Sequence, residues 1–278
     1  MMAPFSLRQT WIDATLAIAA FAIFALAILG GLPRLRNDSS IRIATALLPP
    51  QVNENGEGRE AEIIIAALRG GGITKPIQFH VMPFTRHWQL FKTDTRYHAV
   101  TTVPTELELD GLRSDTYIEY QNGAIYRLDM FPDGLGMDPL QLIQTKRVVA
   151  FAGATTILPS MKKVSEVAPV YLERQDQASH SIMFSNKIVD IVIADELIFD
   201  YYNRKLPRNN STLNDELIEF DPIFCPTPYQ VIFRDVYLRD AFNRGLQLLR
   251  SNGTLRSINR KYELMVKVNK STKLKTRC

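Results

Sequence analysis

The chain predicts an α/β fold with largely parallel strand pairing, arranged as two clusters, and three observations carry that prediction. Short apolar runs of strand length alternate with helical segments from Pro33 onward. Glycine and proline mark the boundaries, as at Pro49-Pro50, Gly70-Gly71-Gly72, Pro83 and Asn252-Gly253. A last strand and two helices follow the second cluster, which suggests a two-lobed chain whose end returns to the first lobe. Ligands in such folds sit outside the carboxyl ends of strands, often between lobes.

The elements follow in order. Ile41 to Leu48 is a short apolar strand stopped by Pro49-Pro50, and a loop rich in Asn, Gly and Glu comes next. Ala61 to Leu68 is helical and ends at the three glycines. Ile77 to Met82 alternates apolar with polar residues, the strand period. Pro83 opens a helix carrying Arg86, Trp88, Leu90 and Phe91, and Tyr97 to Val103 is the next strand. Thr116 to Leu128 is aromatic and extended. In the second cluster Asp138 to Ile143 is a short helix, Arg147 to Ala152 a buried strand, and Gly153-Ala154-Thr155-Thr156 opens a further helix. Val170 to Glu173 is a brief strand, Ala178 to Asn186 a helix, Ile188 to Ala194 a β-branched strand, and Asp195 to Tyr202 a helix. Arg204 to Asp215 is a polar loop. Tyr229 to Phe233 is a strand, Leu238 to Arg250 an amphipathic helix, and Thr254 to Leu264 the final helix.

Ala14 to Leu32 stands apart from this pattern. It is apolar on every face and close to the ~20 residues that a helix needs to cross ~30 Å of hydrocarbon. The segment reads as an uncleaved membrane anchor in preference to a cleaved export signal, because Ala25 and Ala27 form a poor cleavage site. Arg8 before it and Arg34 and Arg36 after it leave the positive-inside rule silent. No cysteine lies near it, which excludes a lipoprotein anchor.

Composition narrows the function further. The 278 residues are 46% hydrophobic and 22% charged, enough apolar residues for a packed core. Part of the net charge of +4 comes from a tail with Lys267, Lys270, Lys273, Lys275 and Arg277. No nucleic-acid reading motif accompanies it, so nucleic acid is not an expected partner. Cys225 and Cys278 are too few for a disulfide framework or a zinc site. They can form at most one bridge, and the sequence does not show whether they meet. His80, His87, His98 and His180 have no metal-ligand spacing. There is no Gly-x-Ser-x-Gly elbow, P-loop or Gly-x-Gly-x-x-Gly. No metal or cofactor is expected, and no catalytic residue is assigned.

Three stretches then carry a resemblance: Ile41-Arg-Ile-Ala-Thr45 with Pro49-Pro50, Lys187-Ile-Val-Asp-Ile-Val-Ile-Ala-Asp195, and Tyr229-Gln-Val-Ile-Phe-Arg234 followed by Phe242-Asn243 and Ile258 to Tyr262. In order and spacing the chain resembles the bacterial extracellular solute-binding proteins of family 3, the polar-amino-acid type, over about residues 41 to 262. Met82-Pro83-Phe84-Thr85-Arg86 is similar to a divergent subset. The resemblance implies the type II periplasmic-binding-protein fold, a Venus-flytrap arrangement preceded by an N-terminal hydrophobic helix. Residues 1–38 would be the signal or anchor, 39–122 with 226–278 the first lobe, and 123–225 the second. It also implies a periplasmic location, tethered to the inner membrane by residues 14–32, a small polar or anionic solute, and a transporter permease of the ABC type as partner.

The candidate ligand contacts are Arg86, Thr101, Thr102, Tyr120, Gly153, Thr155, Thr156 and Asp195. Gly153 to Thr156 follows a strand and opens a helix, where backbone N–H groups suit an anion; the plain alternative is an N-cap. Asp195 ends a strand at a helix start and would meet a ligand ammonium or serve as a cap. Arg86 can grip a carboxylate or stay on the surface. Thr101, Thr102 and Tyr120 fall near the expected cleft. Three departures count against a free amino acid: Leu107 stands where the family carries a carboxylate-clamping Arg, Gln51 where it carries an aromatic, and Ala46 where an acid is common. A tethered sensor with a degenerate cleft is therefore the second reading, and a dehydratase-like enzyme on the same fold the third.

Overall fold

A computed structural model of the chain describes residues 40–207 and 217–264. The hydrophobic run at 14–32, most of the loop expected at 204–215, and the basic tail with Cys278 lie outside the described residues. Among the described residues no helix is long and apolar enough to cross a membrane. Cys225 is disulfide-bonded.

Two mixed sheets form the body. The first contains β1 (Ile41–Ala46), β2 (Ile77–Met82), β3 (Ala99–Pro104), β4 (Leu112–Arg113), β5 (Ile118–Tyr120) and β11 (Thr227–Phe233). Its order is β2-β1-β3-β11-β4, with β5 also paired to β11. The second contains β6 (Asn122–Arg127), β7 (Arg147–Phe151), β8 (Val170–Arg174), β9 (Ile191–Asp195) and β10 (Ile218–Asp221), in the order β10-β6-β9-β7-β8. The chain thus leaves the first sheet at Tyr120 and returns to it at Thr227.

Pairing departs from the largely parallel expectation at these passages. β1 pairs in parallel with β2 and β3, and β7 with β8 and β9, each joined through helices as parallel strands require. β11 instead runs antiparallel to β3, β4 and β5, and β6 antiparallel to β9 and β10. The reversed strands are those that carry the chain into and out of the second sheet. β4 and β10 are edge strands that the sequence reading missed. β9 begins at Ile191 rather than Ile188, because Lys187 adopts a positive φ of 58° and leaves Ile188 half exposed before the strand starts.

The helices are α1 (Arg59–Gly70), α2 (Arg86–Thr93), α3 (Pro139–Ile143), α4 (Ala154–Ile157), α5 (Met161–Val167), α6 (Ala178–Ser185), α7 (Glu196–Lys205), α8 (Val236–Ser251) and α9 (Thr254–Glu263). α1 packs Ile63, Ile64, Ala67 and Leu68 inward, all fully buried. α8 turns Ala241, Phe242 and Leu246 to the same core. The two helices touch backbone to backbone through glycine. A Cβ on Gly245 would lie 1.7 Å from the Ala67 carbonyl oxygen, and one on Gly71 would lie 1.9 Å from that of Ala241.

Gly245→Ala tests this contact. Helix propensity alone would favour Ala by about 1 kcal/mol. Overlap with rigid backbone outweighs that gain, so we expect a net loss of about 2 kcal/mol or more in chemical denaturation. An unchanged or raised stability would show that α1 and α8 separate at little cost.

Candidate functional site

The two passages between the sheets run side by side. The Gln121 amide donates to the Phe224 carbonyl at 2.9 Å, and Asn122 Nδ2 donates to Thr227 Oγ1 at 3.2 Å. Beside them a cavity of ≈ 10 Å³ is lined from the first sheet's side by Leu48, Phe84, Tyr120 and Tyr229. Asn122, Phe151, Gln177, Asp195 and Ile198 complete it from the second. Contacts bridge its rim: Phe84 meets Phe151 edge-on at 6.4 Å, and Gln175 Nε2 donates to Thr85 Oγ1 at 3.3 Å. The space is about that of one water. Small-molecule pockets typically offer ~300–1,000 Å³, so a solute enters only if the two sides part.

Asp195 is the charged group of this cavity. It closes β9, whose five residues are all buried, and its Oδ1 accepts from Ile198 N at 3.2 Å to cap α7. Burial pushes its carboxyl up to about 6, against opposing pulls from the capping amide and the Arg59 guanidinium. Arg59 is itself buried and donates from Nε to Asn259 Oδ1 at 3.0 Å. Asp195 is thus both the cap and a cavity-lining carboxylate.

Thr101 and Thr102 do not reach the cavity. Both are fully buried in β3, and their hydroxyls belong to a chain that runs from Thr45 Oγ1 (2.8 Å to Thr101) through Thr102 (3.1 Å) to Glu60. Glu60, in the first turn of α1, is fully buried. Its Oε1 accepts from Thr102 Oγ1 at 2.7 Å and from the Tyr117 hydroxyl, and its Oε2 from the Tyr120 hydroxyl at 2.7 Å. Burial and the Glu60 charge hold both tyrosines well above the usual phenol range, so they stay protonated donors. Tyr120 therefore lines the cavity with its ring while its hydroxyl is held by Glu60. The carboxylate was missed because Glu60 lies in Arg-Glu-Ala-Glu, which reads as a solvated helix end.

The expected anion site at Gly153 is filled from within. Gly153 takes a left-handed φ of 83° before α4, which exposes the amides of the turn. Gly153 N donates to Glu173 Oε2 at 2.7 Å and Thr155 N to Glu173 Oε1 at 2.9 Å. The Tyr171 hydroxyl donates to the same oxygen at 3.0 Å. Thr156 is exposed, and its N–H turns back to the Gly153 carbonyl at 3.0 Å. Glu173 lies opposite Ala150 in the β7–β8 register, a juxtaposition that a brief strand in the sequence does not reveal.

Arg86 is exposed at the start of α2 and does not line the cavity. Leu107, at the place of the family's clamping Arg, packs against the core, and its carbonyl accepts from Arg113. Arg113 also donates to Gln230 Oε1 at 3.0 Å, so its guanidinium braces the loop. Gln51 is fully buried with neither side-chain polar atom bonded. The histidines have structural settings: His98 Nδ1 accepts from Arg42 N at 3.1 Å, and burial pushes His87 and His180 down to about 3 and about 4. No group of three or more His, Cys, Asp or Glu residues able to hold a metal occurs among the described residues.

Comparison with known proteins bears on this arrangement through structure alone. No protein-family model matches the chain, and no curated protein matches its sequence. Solved structures do match. An ancestral arginine-binding protein bound to arginine superposes with a TM-score of 0.63 at 20% identity, covering 81% of this chain and 98% of that one. ArtJ, the arginine-, lysine-, histidine-binding protein from Geobacillus stearothermophilus, gives 0.62 at 16% identity over 80% of this chain and 94% of that one. A histidine kinase sensor domain similar to periplasmic binding proteins gives 0.61 at 16% identity over 80% and 95%. The class is therefore that of the mixed α/β, two-sheet binding-protein fold. Amino-acid-binding proteins are among the solved structures that share this fold, at 16–20% identity.

Two outcomes are expected. Between its ordinary value of 3.8 and about 6, folded Asp195 holds a proton that the unfolded chain has lost, so stability falls as pH rises through that window. Asp195→Asn keeps an N-capping side chain and removes the buried charge. It should raise stability at pH 8 by about 1–3 kcal/mol, with the gain vanishing near pH 4; a variant less stable than the parent at pH 8 would contradict this. Tyr117→Phe should cost about 1–3 kcal/mol by leaving Glu60 with one donor fewer, as read by urea unfolding.

Proposed function

We propose that the chain captures a small polar solute between two lobes and presents the closed form to a membrane protein. The lobes are 39–122 with 226–278, and 123–225. The observation that carries the reading is Asp195: a buried carboxylate at the carboxyl end of a strand, in a cavity walled from both sheets. The fold's likeness to amino-acid-binding proteins supports the same reading. Capture needs no covalent chemistry. Closing the lobes excludes water, and lower local polarity strengthens the attraction of Asp195 for a ligand charge. The partner we propose is a transporter permease of the ABC type, with residues 14–32 holding the protein at the inner membrane and its body in the periplasm.

A second reading is a tethered sensor. It is favoured by the match to a sensor domain and by the filling of the Gly153 and Thr155 amides by Glu173. Both readings share ligand capture and differ in what the closed form meets.

The test is a thermal-shift screen of the full chain against amino acids, organic acids, amines and sugars. A ligand at 100 times its Kd stabilises by about 2.7 kcal/mol, which corresponds to roughly 5–10 °C for a domain of this size. One solute class should produce such a rise, and Asp195→Asn should abolish the ligand-dependent part. No rise with any class would overturn capture.

A further inference from the structure

The cavity is rich in acceptors. Asp195 lines it with a carboxylate, which when ionised only accepts hydrogen bonds. Gln177 lines it too, only 6% exposed, and its Oε1 is a buried acceptor with no partner. An acceptor left so is costly unless something else supplies the donor. Gln51 and Trp88, which hold buried donors without partners, do not line the cavity. The rings of Phe84, Phe151, Tyr120 and Tyr229 border it, and aromatic faces attract cations.

Two donors among the lining residues, and the two amides of the turn that follows β7, are engaged elsewhere. The Tyr120 hydroxyl is on Glu60, Asn122 Nδ2 is on Thr227, and the Gly153 and Thr155 amides are on Glu173. A ligand carboxylate at that turn would have to displace Glu173 and would meet its negative charge. No guanidinium lines the cavity to compensate.

We infer that the solute is a compact amine carrying an ammonium group and no carboxylate, with Glu173 holding the backbone amides that a ligand carboxylate would otherwise take. The inference rests on the solute-capture reading and narrows its ligand class. The ammonium N–H groups satisfy Asp195 and Gln177, and the rings surround the alkyl part. Asp195 and Gln177 thus choose the charge, and Glu173 excludes the amino acid from which such an amine would derive by loss of its carboxyl group.

Calorimetric titration of the full chain at pH 8 with three matched pairs tests this: ethylamine and alanine, isobutylamine and valine, agmatine and arginine. In at least one pair the amine should bind ten-fold or more tightly than its amino acid. Gln177→Leu should weaken that amine about five-fold or more. Glu173→Ala, or Glu173→Gln if the first variant does not fold, should reduce the preference for the amine about ten-fold. Amino acids that bind as tightly as their amines would overturn the inference and leave solute capture standing. So would silence in all three pairs while organic acids or sugars raise the melting temperature. Silence toward every solute class would overturn both. A preference unchanged by either Glu173 variant would overturn the role given to that residue.

Discussion

The arrangement depends on one buried carboxylate, Glu60. It enters the core at the start of α1, where two preceding carbonyls, those of Pro50 and Gln51, accept from the amides of Arg59 and Glu60 at 3.1 and 3.0 Å. From there it takes hydroxyl bonds from β3 and β5 and from the approach to β5 at Tyr117. A charge in such a place is tolerated only when its lone pairs are filled. Filling them fixes three elements relative to one another: the first helix, a central strand, and the strand by which the chain leaves the first sheet. Thr45 and Thr101 extend the bonding to β1. The segment that leads to the second sheet is therefore anchored at its start by polar bonds rather than by shape alone.

That anchoring reaches the cavity through Tyr120. Its hydroxyl is held on Glu60 while its ring packs 4.6 Å from that of Tyr229, so one wall of the cavity is set from within the first sheet. The opposite wall is set from within the second. Glu173 holds the turn after β7, and Asp190 receives the backbone N–H and the guanidinium of Arg147 where β7 begins, at 2.9 and 2.6 Å. The contacts named across the rim are one edge-on ring pair and one amide–hydroxyl bond. Edge-on aromatic pairs contribute about 0.5–1.5 kcal/mol.

The fold was legible in the sequence because periodicity and punctuation are local properties. Ile77–Met82 alternates, and Gly70-Gly71-Gly72 ends a helix, whatever lies elsewhere in the chain. Asp195 was legible for the same reason, as an acid at a strand–helix junction. The partnerships were not. Nothing near Thr101 and Thr102 in the sequence says that the Thr102 hydroxyl meets Glu60, about forty residues earlier, or that the Thr101 hydroxyl meets Thr45. Gly153 to Thr156 was correctly read as a turn with exposed amides, yet its occupant comes from a neighbouring strand in register. Arg86 has the right chemistry for a carboxylate, but the first turn of α2 leaves it in solvent. Polar networks of this kind depend on tertiary pairing, which a single sequence expresses only as isolated polar residues.

Asp195 and Glu173 show how the same charge can be held in two different ways in one protein. Glu173 receives three hydrogen bonds, two from backbone amides and one from Tyr171, so its charge is compensated where it stands. Asp195 is fully enclosed and accepts from the backbone amides of Ile198 and Gln121, with Arg59 acting on it electrostatically. Burial raises its carboxyl despite those bonds. Glu173 is the more fully bonded of the two acids, and Asp195 the one whose burial outweighs its backbone bonds and the Arg59 charge. A fold selected only for stability would replace Asp195 with Asn, which caps a helix as well without a buried charge. Retaining the acid costs stability at neutral pH, and the structure repays that cost only if a cation completes the site.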